Sequence, residues 1–346
     1  MASLSTPLLV LVFVAGGAAT WVAGVFLSKA TDALDNRFGL GEALGGLILL
    51  AIAGTLPEIA ITVSAARAGH LDLAVGNLIG GVAVQTLVLV ILDAVSGPDR
   101  PLSYIVGSLL PVIEALIVIA VLGTALGGAA LPSSKNVFGA SPTSIAAVVL
   151  WLVGVWIVNR ARLHPQYRVE APQGATPGRR HHREAGVVSY AGASNLFVLA
   201  LFLAASVVTL VAGVTLQDSG SLLAGRAHIG GAVFGATVLA FATALPEISS
   251  GIAAVRLGDM QLAVGDILGG NSFQITLLLL ADLIAGTPVI VAAHHSDVWL
   301  GAAGILMTGI AAMAIIARPQ RTYLWLGIDS LALVGVYAAA IVLLPK

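Results

Sequence analysis

The sequence contains no cysteine and very little charge. Without cysteine, the chain has no disulfide, no thiolate metal site and no cysteine nucleophile. Charged residues make up only 10% of its 346 residues, whereas 58% are hydrophobic and the mean hydropathy is +1.01. This apolar content exceeds what one soluble core buries, so we expect the lipid bilayer to be the chain's solvent. The formal net charge of −1 indicates neither a nucleic-acid partner nor a protein partner.

Long apolar stretches separated by short polar breaks run through the whole chain. Because a membrane span needs about 20 mostly apolar residues, these stretches predict an all-α membrane protein with ten transmembrane helices. No positively charged residue precedes the first stretch, so we expect a retained helix rather than a cleaved signal peptide. The stretches are 7–28, 40–66, 71–95, 102–126, 143–159, 190–216, 229–255, 261–285, 297–317 and 322–344.

The long polar segment 159–189 divides the chain into two halves, 1–158 and 190–346. It carries six arginines and three histidines against two glutamates, which is typical of a solvated linker. Short loops rich in Lys and Arg face the cytoplasm. A cytoplasmic linker predicts both termini outside a cell (inner) membrane. It places four basic residues outside, Arg67, Lys135, Arg226 and Lys346, and twelve inside, Lys29, Arg37, Arg100, the six linker arginines, Arg256, Arg318 and Arg321.

An internal repeat relates the two halves at a constant offset of 189 residues. The repeat is clearest in the α-repeats, at about 40–95 and 229–285. Because each half contributes five spans, the second half must enter the membrane with the opposite orientation. Inverted repeats with broken helices at the bilayer midplane are the usual architecture of secondary transporters, and they indicate alternating access. The paired segments include Leu56-Pro57-Glu58 and Leu245-Pro246-Glu247, Gln85 and Gln274, and Asp93 and Asp282.

The two Pro-Glu pairs lie about halfway along their spans. Proline lacks an amide hydrogen, so each of Pro57 and Pro246 leaves a carbonyl of the preceding turn without its helix partner. Free carbonyls at membrane depth need protein, water or a cation. Buried carboxylates there cost several kcal/mol, on the order of 3, unless they are paired or protonated. Protonated glutamates that merely bond a neighbouring helix would not explain two copies beside two prolines, so we expect Glu58 and Glu247 to hold a cation.

The spans that follow each Pro-Glu pair carry paired glycines and a glutamine. Glycines at a spacing of four allow helices to approach closely. Amide oxygens of Gln85 and Gln274, together with carboxylates and backbone carbonyls, suit a hard cation such as Ca²⁺. Two carboxylates balance the charge of one divalent ion. The chain therefore needs no cofactor, because its ions are cargo.

At these residues the sequence resembles the calcium/cation antiporter superfamily, which includes sodium/calcium and proton/calcium exchangers. That family has two inverted repeats, each with a Ser-Leu-Pro-Glu-like segment and a later Gly-Asn-x-x-Gly-Ser-Asn-x-x-Asn-like segment. The resemblance runs from Ala51 to Asp93 and from Ala240 to Asp282. The corresponding segments are Thr55-Leu56-Pro57-Glu58 with Gly76-Asn77 to Gln85, and Ala244-Leu245-Pro246-Glu247 with Gly265-Asp266 to Gln274.

The resemblance implies ten helices, with the ion bound between the second, third, seventh and eighth and with the first and sixth sliding as a gate. Glu58 and Glu247 would be the central ligands, and Gln85 and Gln274 the flanking ones. Supporting residues would be the carbonyls of Ala51 and Ala240 for outlying sites, with Thr55, Thr243, Asn77 and Asp266.

Departures from the family pattern bear on the coupling ion. Sodium/calcium exchangers usually have serines where this chain has Ala244, Gly81 and Gly270. Proton/calcium exchangers often carry a Gly-Ser-x-x-Gln-like segment, which is similar to Gly270-Asn271-Ser272-Phe273-Gln274. The expected function is exchange of Ca²⁺ or a similar divalent cation for protons. A sodium/calcium exchanger and a sodium/proton antiporter remain the alternatives.

Several other polar residues have both a structural and a functional interpretation. Asp266 either attracts ions at the vestibule or stabilises the start of its helix, whereas capping or interfacial solvation is expected of Asp93 and Asp282. Glu114, which has no counterpart in the second half, could relay protons, and Asp329 has a weaker case. His294, His295 and Asp297 form a loop cluster that could bind a transition metal.

Two other classes of function are less consistent with the sequence. An intramembrane hydrolase needs a catalytic pair such as Ser-His within the spans, but every histidine lies in a predicted loop or at a span edge. A channel could use paired glutamates but needs no inverted repeat. We therefore expect a transporter and not an enzyme, with inorganic cations and the bilayer as its partners.

Overall fold

A computed structural model describes residues 1, 3–38, 54–130, 139–163, 190 and 192–345. This part of the chain is almost entirely helical, with one antiparallel ribbon formed by β1 (Thr322–Tyr323) and β2 (Leu326–Gly327). The helices are α1 (Thr6–Phe38), α2 (Leu56–Ala68), α3 (Leu71–Ser96), α4 (Leu102–Ile105), α5 (Leu110–Ala129), α6 (Pro142–Leu163), α7 (Asn195–Arg226), α8 (Gly231–Thr243), α9 (Leu245–Arg256), α10 (Met260–Ala285), α11 (His295–Ala317) and α12 (Ile328–Val342).

Within the described residues, seven helices are long and apolar enough to cross a membrane, and α8 with α9 makes an eighth if the bent pair is one span. The chain is therefore an integral membrane protein. Of the two further predicted spans, 40–66 lies partly outside the described residues. The other is represented by α12, which is apolar but only 15 residues long. The ten-span, five-plus-five arrangement and the division at 159–189 stay predictions.

Three predicted span boundaries were wrong. The first helix does not end near residue 28 but continues to Phe38, because no glycine or proline interrupts residues 25–38. The predicted span 102–126 is broken after α4, where Gly107 has a positive φ of 60°, and the helix resumes at α5 with Pro111 in its first turn. The predicted span 322–344 begins as the β1–β2 turn, where Leu324 and Trp325 have positive φ, and becomes helical only at Ile328.

The second Pro-Glu segment breaks its helix as predicted. Helices α8 and α9 meet at an angle of 41°, and Ala244 is the residue between them. Pro246 lies in the first turn of α9, where its missing amide hydrogen costs least. Helix α2 begins in the same way, with Thr55 before it and Pro57 in its first turn. The predicted break therefore places both glutamates in the first turn of a helix.

Helices α3 and α8 approach each other closely at small residues. A Cβ atom at Gly76 would collide with the backbone of Ala232, and one at Gly80 would collide with the side chain of Ala236. Both helices contain a π-helical turn at this contact, Gly76–Gly80 in α3 and Gly235–Leu239 in α8. Single π-turns within α-helices occur frequently at functional sites.

Helices α1 and α7 pack antiparallel, and two arginines join their ends. Arg37, at the end of α1, donates to Asn195 Oδ1 at 2.7 Å and to the carbonyl of Tyr190 at 2.7 Å. Arg226, at the end of α7, donates to Thr6 Oγ1 at 3.1 Å at the start of α1. The end of α1 therefore lies beside the start of α7. We call this end of the bundle, where α6 also reaches residue 163 and α7 begins, the linker side.

A glycine in each of these two long helices is in close contact with the Pro-Glu segment of the opposite half. A Cβ atom at Gly24 of α1 would lie 2.5 Å from Pro246 Cβ. A Cβ atom at Gly213 of α7 would lie 2.6 Å from Ala60 Cβ and 3.0 Å from the Pro57 carbonyl. The two glycines are themselves 189 residues apart. The repeat thus extends into α1 and α7 and recurs in their contacts.

Asp93 and Asp282 are buried caps, which is one of the two roles expected of them. Asp93 accepts hydrogen bonds from the backbone N–H of Leu102 at 2.6 Å and of Gly327 at 2.7 Å. Asp282 accepts from Val289 N–H at 2.6 Å and Ser141 N–H at 2.8 Å. Each carboxyl therefore ties the end of its own helix to the segment that starts another one, and interfacial solvation is excluded by its burial.

Candidate cation site

Glu58 and Glu247 lie together in the interior of the bundle. Glu58 has no exposed surface and Glu247 is 6% exposed. Their carboxyl groups are close enough to repel each other, and the Thr243 hydroxyl lies beside Glu58. In the described part of the chain, neither carboxyl is paired with Lys or Arg. Two neighbouring carboxylates in an apolar interior require a cation or protons to balance their charge.

The two glutamines predicted to flank the glutamates are both anchored at the site, but in different ways. Gln85 Nε2 donates to Glu58 Oε1 at 3.1 Å, which joins α3 to α2. Gln274 Nε2 donates to the carbonyls of Asn77 and Leu78, each at 2.9 Å, in the π-helical turn of α3. Because both donor hydrogens of Gln274 are used, its oxygen is fixed in position and remains available to a cation.

Several buried oxygens of the candidate residues and of Asn271 have no hydrogen-bond partner among the described residues. Unpaired buried polar atoms are uncommon in proteins, and each calls for an explanation. Carboxylate and amide oxygens are the ligands that hard divalent cations prefer. The residues present therefore fit a Ca²⁺-like ion as cargo. The unpartnered atoms are Glu58 Oε2, Glu247 Oε2, Asn77 Oδ1, Asn271 Oδ1 and Gln274 Oε1.

A small cavity reaches Glu247 from the linker side. Its free volume is about 40 Å³, which exceeds the roughly 10–15 Å³ that one water molecule needs. The lining does not include Glu58. It consists of Gly24, Leu27, Thr31, Gly54, Pro57, Thr209, Pro246, Glu247, Ser250 and Asp266. In this conformation, Glu247 therefore borders a cavity on the linker side, whereas Glu58 has no exposed surface.

The supporting residues predicted from the sequence have different surroundings. Ala51 lies outside the described residues. The Ala240 carbonyl accepts hydrogen bonds from Ala244 N–H and from the Thr243 hydroxyl, both at 3.0 Å, so both of its lone pairs are used in this conformation. Thr55 precedes α2, and Asn77 is buried within the π-turn. A role for any of these residues as a cation ligand stays a prediction.

Three other predicted candidates lie away from the paired glutamates. Glu114 packs against Gly265 of α10, and Asp329 lies beside Asp93 at the start of α12. Asp297 accepts from the backbone N–H of His294 at 2.7 Å and so caps α11. Among the described residues, no group of three or more acidic or histidine side chains is placed to hold a metal ion, so the His294-His295-Asp297 cluster is a helix cap.

Sequence reasoning missed two polar groups at the site. Thr209 of α7 lines the cavity, and its repeat partner is Thr20. Both belong to a motif, Thr-x-Val-Ala-Gly-Val-x-Leu, that recurs at the 189-residue offset and would have extended the repeat into α1 and α7. Asn271 donates to Thr86 Oγ1 at 3.2 Å, and its oxygen is left without a partner. It has no polar repeat partner, so the repeat gave no signal for it.

Solved transporter structures share this fold. The chain superposes on the H⁺/Ca²⁺ exchanger CAX with a TM-score of 0.71 at 13% identity, covering 98% of this chain and 82% of the other. It superposes on the sodium-calcium exchanger NCX_Mj, soaked with Na⁺ and Sr²⁺, with a TM-score of 0.61 at 17% identity, covering 99% and 100%. At these identities the likeness concerns the fold alone.

Relatives found by sequence cover most of the chain. Inner membrane protein YrbG of Escherichia coli (strain K12) is 29% identical over 251 residues, which are 72% of this chain and 71% of YrbG. The putative antiporter CaxA of Alkalimonas amylolytica is 28% identical over 280 residues, which are 79% of each chain. The family model for sodium/calcium exchanger proteins matches residues 8–160 and 196–344, one segment in each half. The chain therefore belongs to the sodium/calcium exchanger protein family.

Proposed function

We propose that this protein is a secondary-active antiporter that moves Ca²⁺, or a similar divalent cation, in exchange for protons by alternating access. The observation that carries the proposal is the pair of buried carboxyls, Glu58 and Glu247, with unpartnered oxygens around them. Membership of the exchanger family supports cation antiport. The name of the CAX neighbour, an H⁺/Ca²⁺ exchanger, is consistent with the proposed pair of ions.

Two carboxylates can exchange one divalent cation for protons without leaving charge in the membrane interior. When the cation is bound, both glutamates are ionised and the site is neutral. When the cation leaves, each carboxyl takes up a proton, because an unpaired carboxylate in an apolar interior is strongly disfavoured. In both loaded forms the site as a whole carries no net charge, so both forms can pass through the conformational change, whereas a half-loaded site carries a net charge that opposes it.

The contacts of α1 and α7 support alternating access. These helices touch the Pro-Glu segments at Gly24 and Gly213, and the arginine contacts at their ends favour movement of α1 and α7 as one unit. A shift of this pair along the bundle would close the linker-side cavity and open an equivalent space on the opposite side of the two glutamates. The present conformation is then the one that is open towards the linker.

The missing hydroxyls favour protons over sodium as the coupling ion. Ala244 has no side-chain oxygen, and the space beside Gly81 is taken by Gln274 Nε2, at 3.0 Å from where a Cβ atom would lie. Among the described residues, no atom beyond the glycine's own stretch of helix lies within 4 Å of the corresponding position at Gly270. Small sodium cages need several oxygens close together, and these three positions supply none from their side chains.

Calcium uptake into proteoliposomes tests the coupling ion. With equal sodium on both sides and the voltage clamped by potassium and valinomycin, we expect an imposed pH difference to drive uptake. A sodium gradient at equal pH should drive none. The specific alternative is sodium/calcium exchange, which the family description favours. Uptake driven by sodium and not by pH would establish that alternative, and uptake of neither kind would refute calcium transport.

We further propose that the 159–189 linker is cytoplasmic and that both termini are outside. The support is the distribution of basic residues, twelve on the linker side and four on the other. Because the chain has no cysteine, Ser5→Cys and Ala175→Cys each introduce a single label site. In intact cells an impermeant thiol reagent should label the first and not the second. Labelling of both from the same side would overturn the inverted topology.

A further inference from the structure

The polar groups around the two glutamates differ between the two sides of the site. Asp266 lines the linker-side cavity with Glu247 and accepts a hydrogen bond from Ser250 Oγ at 2.7 Å. The repeat partners of these two residues are Asn77 and Ile61, which carry no charge. The carboxylate beside the site is therefore present on the linker side and has no equivalent in the other half.

A threonine adds an unpartnered oxygen to the same cavity. Thr209 is 1% exposed, lines the cavity, and its hydroxyl has no hydrogen-bond partner within the part of the chain that the structure describes. The hydroxyl of its repeat partner, Thr20, donates to the Gly16 carbonyl at 2.9 Å. A threonine in a helix ordinarily makes this bond to the preceding turn. The free hydroxyl of Thr209 thus points to a ligand in the cavity.

A second carboxyl lies behind Asp266. Glu114 Oε2 is buried without a partner and lies 3.0 Å from the position that a Cβ atom would take on Gly265. It interacts electrostatically with Asp266 and with Arg162, which is near the end of α6 on the linker side. The repeat partner of Glu114 is Ala303. Two carboxyls therefore lie on the linker side of Glu247 and have no counterparts at the repeat-related positions.

We propose that Asp266, Ser250 and Thr209 form a second, one-sided binding station for the transported divalent cation, between Glu247 and the linker side. Glu114 adds a second carboxyl group behind Asp266. The inference rests on the proposed function of the Glu58–Glu247 site. A carboxylate with two hydroxyls and the neighbouring Glu247 is an all-oxygen set that suits a partly hydrated Ca²⁺.

A station on one side makes the transporter asymmetric in apparent affinity. Negative charge in a narrow cleft with apolar walls raises the local concentration of cations. Calcium arriving from the linker side passes this station before it reaches the paired glutamates, whereas calcium arriving from the other side does not. The KM for calcium is then lower on the linker side, while the maximal rate is still set by the central site.

The test measures calcium flux from each side separately. Everted and right-side-out vesicles are prepared from the same cells, and the exposed face is assigned with an impermeant thiol reagent on the Ala175→Cys background. We expect Asp266→Asn to raise the KM for calcium on the linker face about tenfold and to change it less than twofold on the other face. Thr209→Val, which keeps the side-chain shape, should raise the linker-face KM about threefold.

The reciprocal variant and a charge control sharpen the test. Asn77→Asp places a carboxylate at the repeat-related position, so adding it to Asp266→Asn should lower the KM on the face opposite the linker. Asp99→Asn removes an exposed carboxylate from the loop after α3, which is predicted on the linker side, and should leave both KM values unchanged. If Asp99→Asn raises the linker-face KM as much as Asp266→Asn does, the effect is one of general surface charge. The proposed station would then be refuted.

The possible outcomes separate the station from the proposed function. If Asp266→Asn and Thr209→Val change the two faces equally, the station does not exist, although the central site can still transport calcium. If the unsubstituted protein moves no calcium from either face, the proposed function fails and the station fails with it. A linker-face change confined to KM in both variants confirms the station.

Discussion

Each half of this protein contributes a glutamate and a glutamine at repeat-related positions, but the two pairs make different contacts. Glu58 is sealed and accepts a hydrogen bond from Gln85, whereas Glu247 faces a cavity, and its repeat-related glutamine bonds the backbone of α3 instead. Symmetric sequences thus adopt asymmetric environments. Such a difference is consistent with the proposed alternating access, in which the site opens to one side at a time.

The largest effect is expected when either glutamate is replaced. Glu58→Gln and Glu247→Gln should each reduce calcium transport at least about a hundredfold, since loss of one charge leaves the cation under-neutralised in a low-dielectric site. The two variants should be equally inactive despite the different exposure of the two residues. Flux of radioactive calcium into proteoliposomes measures this.

Glutamine keeps the shape of each side chain, so both variants should retain normal expression and a normal elution profile in detergent. Gln85 already donates to Glu58 and can also donate to an amide oxygen at position 58. Near-normal flux in either variant would show that this glutamate is not a cation ligand. The comparison between the two halves of the site would then have no basis.

The central site could be predicted from the sequence because its chemistry is duplicated. The Pro-Glu pairs, the helix break before Pro246 and the contact of Gln85 with Glu58 follow from a repeat with polar residues at membrane depth, whereas the role of Gln274 as a flanking ligand stays a prediction. The one-sided cavity could not be predicted in this way. A repeat constrains both halves to the same residues and carries no information on which conformation is populated.

The next largest effect concerns the glycines of α1 and α7. Gly24→Ala and Gly213→Ala should each slow transport about tenfold, because the new Cβ atom would lie within 2.6 Å of the opposite Pro-Glu segment. Alanine stabilises a helix by about 1 kcal/mol relative to glycine, so helix propensity alone predicts no loss of stability or transport. Initial rates of calcium uptake give the measurement.

Gly17→Ala is the matched control in α1, where the nearest atom would be Leu245 Cδ1 at an ordinary 3.5 Å. It should leave transport unchanged. If Gly24→Ala and Gly213→Ala behave like this control, α1 and α7 do not slide against the Pro-Glu segments.

A smaller effect, on stability rather than on transport, is expected at the two caps. Asp93→Asn and Asp282→Asn should each lower the free energy of unfolding by about 2 kcal/mol, because one buried N–H group loses its acceptor. Asp93 also accepts a hydrogen bond from Ser330 Oγ at 2.6 Å, so Asp93→Asn should lower the free energy of unfolding more than Asp282→Asn does. Thermal unfolding in detergent compares the two. A change in calcium KM with unchanged stability would instead make the caps part of the ion site.

The smallest effect should come from the arginines at the ends of α1 and α7. Arg37→Ala and Arg226→Ala expose their former partners to solvent, so each should cost only about 1 kcal/mol of stability. Arg37 also donates to the Ala193 carbonyl at 3.0 Å and Arg226 to the Leu4 carbonyl at 2.7 Å, so the two losses of stability should be similar. The same thermal assay measures both. Abolished transport with unchanged stability would contradict a purely structural role.

These end contacts and the caps illustrate what the sequence does not show. Arg37 and Arg226 are 189 residues apart, but each appears in isolation as a charged residue at the end of a span, and charge counting assigned them to opposite sides of the membrane. Their function as partners depends on the antiparallel packing of α1 on α7, which is a tertiary contact. The predicted boundary of the last span was wrong for a similar reason, because hydropathy does not distinguish a helix from the apolar turn that precedes α12.

Proton release on calcium binding tests the central claim most directly. Purified protein in weakly buffered detergent solution is titrated with calcium while the pH is recorded, at a pH where the empty site is protonated. Because metal ligands must be deprotonated, binding should release up to one proton from each of Glu58 and Glu247, and sodium should release none. Loss of the release in Glu58→Gln and Glu247→Gln would assign it to the pair. Calcium binding with no change of pH would contradict exchange of protons for a divalent cation at this site.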